Sequence, residues 1–188
     1  MTATRHRFTV SDYYRMGDSG IFPPDGRVEL LEGEIRDMMP IGPFHSGVVN
    51  WLADFFASCH QGRWLVINQN PVQLNKHSEP QPDIVLVRRD PNFYRDRHPA
   101  PGDVLLLIEV AESSLDYDRG DKLAAYGKAG IQEYWLVNLT EQCVEVYREP
   151  HYTGYSGVTI LHPGDTVSPG AFPDVKVALS ELLRRLGK

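Results

Sequence analysis

The chain has 188 residues, 41% hydrophobic and 23% charged, with a formal net charge of −6. That length and balance fit one globular domain with a proper core, and no apolar stretch is long enough to cross a bilayer. The negative balance argues against a protein that coats nucleic acid non-specifically, because phosphate binding needs local positive charge.

Residues Met1–Arg7 are basic but carry no apolar run, so no secretory signal is expected. Cys59 and Cys143 stand far apart without a Cys-x-x-Cys partner. They read as buried small hydrophobes in a reducing, cytoplasmic setting, although a disulfide between them stays open.

In chain order, Phe8–Met16 reads as a short helix that Thr9 or Ser11 can cap. Ile21–Gly26 is a turn or loop. Arg27–Met39 reads as a β-hairpin turning at Glu32-Gly33. A helix follows over about Phe44–His60, with Val48, Val49, Leu52, Phe55 and Phe56 on one face. Trp64–Asn68 and Val72–Leu74 read as strands separated by Pro71, and Asp83–Val87 as a further strand. Arg88–Gly102 is a long polar loop, and Val104–Val110 the most buried strand. Asp116–Ala129 is helical, with Gly130 as its stop. Gln132–Asn138 and Gln142–Arg148 form a second hairpin, Tyr155–Leu161 adds an edge strand, Pro163–Pro173 is loop, and Leu179–Leu186 is a closing helix. The chain shows no internal repeat. This order predicts an α/β (α+β) fold: a central mixed sheet flanked by helices, with an N-terminal hairpin and a crossover joining parallel strands.

Two acidic residues break the pattern. Asp83 follows Pro82 at the head of a strand, and Glu109 lies inside an otherwise Val, Leu and Ile strand that should be buried on both faces. An ionised Glu there costs several kcal/mol unless a cation, a metal or solvent compensates it. Two such carboxylates on neighbouring strands suit a hard divalent ion.

Pro82-Asp83, Ile108-Glu109-Val110 and Lys122 together resemble the PD-(D/E)xK superfamily of restriction-endonuclease-like nucleases. More closely, the chain resembles a large bacterial family of restriction-endonuclease-like proteins of unknown function. The shared landmarks are Val28–Glu34, Met39-Pro40 followed by His45, Pro82–Val85, Ile108–Val110, Tyr117–Leu123, Tyr126 and Ala129–Val137. The resemblance implies a nuclease core over 27–149, preceded by a helix and loop (1–26) and followed by a C-terminal extension (150–188), all one domain. It also implies an Mg²⁺- or Mn²⁺-dependent endonuclease acting on DNA, and a homodimer. The superfamily's lysine falls two residues after the glutamate, which here is Ala111; Lys122, on the following helix, matches the position to which this family moves it.

Carried onto this chain, Asp83, Glu109 and the main-chain carbonyl of Val110 would hold the ion, which activates water and polarises the phosphate. Lys122 would orient that water or steady the phosphate charge. Glu29, alternating with Val28 and Leu30, is the candidate third acidic group. His45, at a helix start, and Gln69 are candidate phosphate contacts. Arg88 and Arg89 open a basic, aromatic loop running to His98 that could meet a phosphate backbone; Arg184–Lys188 is a weaker basic patch. Bland readings stand beside these. Lys122 could pair with Asp118 on a solvated helix face, Glu109 could be a buried ion pair, and Tyr126 and Trp135 read as packing residues. A non-cleaving metal- or nucleic-acid-binding homodimer on the same fold is the alternative function.

Overall fold

The computed structural model describes residues 4–23 and 26–184. Helix α1 (Val10–Asp18) starts at Thr9, whose side chain accepts from the Asp12 N–H while the Asp12 carboxylate accepts from the Thr9 N–H, a capping box. The hairpin strands β1 (Val28–Leu31) and β2 (Glu34–Asp37) turn at Glu32 and Gly33, both at positive φ, as a tight hairpin needs. Helix α2 (Pro43–Cys59) begins on a proline, which gives up no helical N–H at that position.

Six strands form the central sheet, in the order β3 (Leu65–Asn68), β4 (Ile84–Val87), β5 (Val104–Ala111), β6 (Glu133–Asn138), β7 (Cys143–His151) and β8 (Gly154–Leu161). Only β5 and β6 run parallel; every other pair is antiparallel. The crossover between β5 and β6 is helical in three pieces: α3 (Leu115–Tyr117), a π-helical turn (Asp118–Lys122) and α4 (Leu123–Ala129). Gly130, at φ +81°, ends it in the left-handed conformation. Gly127 lets α4 lie directly on β8, since a Cβ there would come 2.0 Å from the Gly154 carbonyl oxygen.

Strands β4, β5 and β6, the middle of the sheet, are buried on both sides. On one, Val48, Leu52 and Phe56 of α2 pack against Ile84, Leu86, Leu106, Ile108 and Trp135. On the other, Ala125 and Tyr126 of α4 pack with Val85, Leu107, Tyr134 and Leu136. This double cover is why β4 to β6 read as unbroken apolar runs. The fold is the mixed α/β architecture expected from the sequence.

Three local readings are corrected. Val72–Leu74 is not a strand: Val72 and Leu74 donate to the carbonyls of Pro80 and Ser78, but Pro80 and Pro82 have no N–H to return, so no ladder propagates. The loop read over Pro163–Pro173 contains a two-residue strand, β9 (Thr166–Val167), which pairs antiparallel with β10 (Val177–Ala178) beyond it. The closing helix α5 spans only Leu179–Leu182: Leu183 and Arg184 have left it, and the rest of the expected helix, with most of the basic tail, lies outside the described residues. Among the described residues no helix is long and apolar enough to cross a membrane, and both cysteines are free.

Candidate active site

Asp83 immediately precedes Ile84, which pairs with Ile108 across the β4–β5 ladder. That register sets Asp83 opposite Glu109, and the Asp83 N–H donates to Glu109 Oε2 at 3.3 Å. The two carboxylates therefore share one end of the sheet, next to the N-terminus of α2 and the β1–β2 hairpin. They open into a cleft of 310 Å³ that Glu29, His45, Gln69, Val110, Asp118 and Lys122 also line.

Asp83 is held by three donors. Its Oδ2 accepts from the Val110 N–H at 2.9 Å and meets His45 Nε2 at 3.1 Å, and Oδ1 accepts from Gln69 Nε2 at 3.1 Å. Burial alone would raise its pKa. The His45 hydrogen bond and charge, with the Val110 and Gln69 donors, outweigh burial and hold it below the usual carboxylate range. Burial likewise works against charge on His45, but Asp83 prevails and raises it.

Lys122 occupies the centre of a carboxylate cage. Its Nζ lies 3.0 Å from Glu109 Oε1, 3.3 Å from Glu29 Oε1 and 3.6 Å from Asp118 Oδ1. Burial disfavours the ammonium, yet the charges of Glu109, Glu29 and Asp118 raise its pKa well above the ordinary lysine value. Lys122 is thus buried and charged, not on a solvated helix face, and Asp118 is one of three partners rather than its only one. The π-helical turn that carries both residues is a departure common at functional sites. Tyr126, read from the sequence as packing, also donates its hydroxyl to Glu109 Oε1 at 2.6 Å. Glu29 is 1% exposed and sits within the cage, with its second oxygen accepting from the Gln81 N–H at 2.9 Å.

The charges do not balance. Glu29, Asp83, Glu109 and Asp118 face one lysine and one histidine, His45, and burial pushes Glu109 up to about 8 and Asp118 up to about 6. A hard divalent cation relieves such an excess, and two carboxylates with a nearby main-chain carbonyl are oxygen donors of the right kind. The residues present therefore fit a divalent ion. A separate trio, Glu141, Cys143 and Glu145, also brings potential ligand atoms within 4.8 Å of one another. There Arg119 already pairs with both glutamates and offsets one of their two charges.

Glu109 gives a pH signature. A raised carboxyl contributes stability that is complete below its unfolded value of 4.5 and is lost as pH climbs toward about 8. His45, also raised, acts with the same sign. Metal-free protein should therefore lose thermal stability between pH 6 and 8, by at most about 1.4 kcal/mol per pH unit for each proton released. Glu109→Gln should flatten that slope in thermal denaturation; an unchanged slope would mean that Glu109 is already ionised at pH 6.

Arg88 and Arg89 are not brought to the cleft. β4 leads away from Asp83, so Arg88 lies about 16 Å along the strand direction from it, where its Nε donates to the Gly102 carbonyl at 3.2 Å. Sequence reasoning passed over Asp118 and Tyr126 as members of the site. The signal for Asp118 was its spacing of four from Lys122; for Tyr126 it was a hydroxyl that needs a partner once buried.

Residues 10–180 match the Uma2 family, described as "Putative restriction endonuclease". The chain is also similar in structure to a crystal structure titled as a putative nuclease belonging to DUF820 from Anabaena variabilis. The TM-score is 0.73 at 20% identity, covering 94% of this chain and 97% of that one. No curated protein matches the chain.

Proposed function

Because this chain belongs to the Uma2 family, we propose that it is a divalent-metal-dependent endonuclease that hydrolyses phosphodiester bonds in DNA. The observation that carries this reading is the buried Asp83–Glu109 pair, with the Lys122 ammonium 3.0 Å from Glu109, at the floor of one cleft. Asp83 and Glu109, with the Val110 carbonyl, would hold Mg²⁺ or Mn²⁺. When bound, the ion supplies Lewis-acid polarisation of the scissile phosphate and acidifies water.

The chain's own residues do the rest. Lys122 keeps its proton, so it acts by stabilising charge on the phosphate rather than as a general base. Glu29 and Asp118 hold its amine in place, and Tyr126 fixes the Glu109 carboxylate. His45 and Gln69 fix Asp83. These fixed positions spare the site reorganisation during the reaction.

The test titrates Mg²⁺ or Mn²⁺ while following both melting temperature and cleavage of plasmid and single-stranded DNA. A rise in melting temperature, about 2.7 kcal/mol of stabilisation at a hundredfold excess over Kd, together with metal-dependent cleavage, is expected. Metal stabilisation without cleavage of any DNA would replace this reading by a non-cleaving metal-binding protein. No response to either ion would remove the metal.

A further inference from the structure

The cleft also bears on which form of DNA enters it. Its floor is deep: Asp83 is 8% exposed, Lys122 4% and Glu109 3%. At 310 Å³ the cleft stands at the low end of the range of about 300–1,000 Å³ usual for small-molecule pockets. The reacting phosphate has to descend into it to reach Asp83 and Glu109. One wall is apolar and open to solvent, with Met39 62% exposed and Ile41 38%. Arg27, on the hairpin side, has no ion pair among the described residues. Arg36 also lines the cleft, above the Tyr117 ring, and pairs with Glu34 at 2.8 Å and Asp121 at 3.4 Å, contacts a phosphate would have to compete with. Asp37 and Glu112 complete the rim and disfavour any phosphate lying against them.

We propose, building on the nuclease reading, that the cleft takes an unpaired DNA strand, either single-stranded or a flap. Arg27 and Arg36 hold its phosphates, and Met39 and Ile41 lie against an exposed base. In a duplex the base faces are stacked on one another, so Met39 and Ile41 could meet one only where a base leaves the stack. An unpaired strand presents those apolar base faces at no such cost, and contact with a base is tolerant of sequence.

Binding can be read without cleavage. Fluorescence anisotropy of the Asp83→Asn variant is measured with one labelled oligonucleotide, alone or annealed to its complement. The single strand should bind at least about tenfold more tightly. Arg27→Ala in that background should weaken single-strand binding about tenfold, and Met39→Ser with Ile41→Ser about as much, while duplex binding stays unchanged in the serine variant. Duplex binding equal to or tighter than single-strand binding overturns the proposal, and so does indifference of the single strand to the serine substitutions. Wild-type cleavage separates the two ideas. Asp83-dependent cutting of duplex alone keeps the nuclease and discards the unpaired strand, whereas the expected binding preference with no cutting keeps the cleft's ligand and discards the nuclease.

Discussion

Asp83→Asn and Glu109→Gln should each lower metal-dependent DNA cleavage by about 10³-fold, and each should abolish most of the rise in melting temperature caused by Mg²⁺. Each change removes one charge and half of the oxygen donors offered by its side chain. In Asp83→Asn the new amide must also face donors, since the native carboxylate accepts from Val110, Gln69 and His45. That mismatch costs about 1–3 kcal/mol of stability, so folding is checked by circular dichroism alongside activity. Glu109→Gln removes the carboxylate that burial raises most clearly, and should fold at least as well as wild type at pH 8 without metal. If both variants keep wild-type cleavage and the same metal affinity by calorimetry, the ion binds elsewhere. The Glu141, Cys143 and Glu145 trio would then be the next place to look.

Lys122→Met should lower the melting temperature by roughly 6–20 °C, corresponding to about 3–5 kcal/mol, and abolish cleavage. Methionine fills much of the lysine's volume, so the loss reports charge rather than a cavity. Without the ammonium, Glu29, Glu109 and Asp118 remain buried with no cation among them. The deficit should shrink at lower pH, where these carboxyls take up protons, and Mg²⁺ should stabilise the variant more than it stabilises wild type. Lys122→Ala should behave alike with a further loss from packing. Were Lys122→Met as stable as wild type at pH 8, the cage would not hold its charges in the arrangement described. Were it to cleave DNA at the wild-type rate, Lys122 would be structural alone.

The position of that lysine has a physical rationale. Ala111, two residues beyond Glu109 on β5, is fully buried in the core layer that Tyr126 and Ala125 fill. A lysine stem there would displace this packing. A lysine entering from the π-helical turn reaches Glu109 without disturbing the sheet, because its long stem spans the gap. The same turn brings Asp118 inward.

Much of the architecture was legible because local rules suffice for it. The hairpin turn is set by Glu32-Gly33, α1 by the Thr9 cap, the end of α4 by Gly130, and the doubly covered strands by continuous Val, Leu and Ile. Where a local rule depends on a partner, it failed. Val72–Leu74 has strand-forming residues, but its neighbours Pro80 and Pro82 cannot return hydrogen bonds. β9 and β10 are two residues each, too short for any periodicity to register.

The sequence by itself determined that Asp83 and Glu109 head and interrupt apolar strands, and so that buried negative charge had to be compensated somewhere. It also determined that Lys122 and Asp118 share a helical face. Only the tertiary structure decided who compensates whom. Glu29, from a hairpin outside the central sheet, closes the cage around Lys122, Tyr126 anchors Glu109, and Arg88 and Arg89 are carried away by the direction of β4. Spacing along a chain fixes the face on which a side chain lies. The cost of a buried charge is met by whatever groups the fold brings within about 4 Å of it, and those come from segments far apart in the chain.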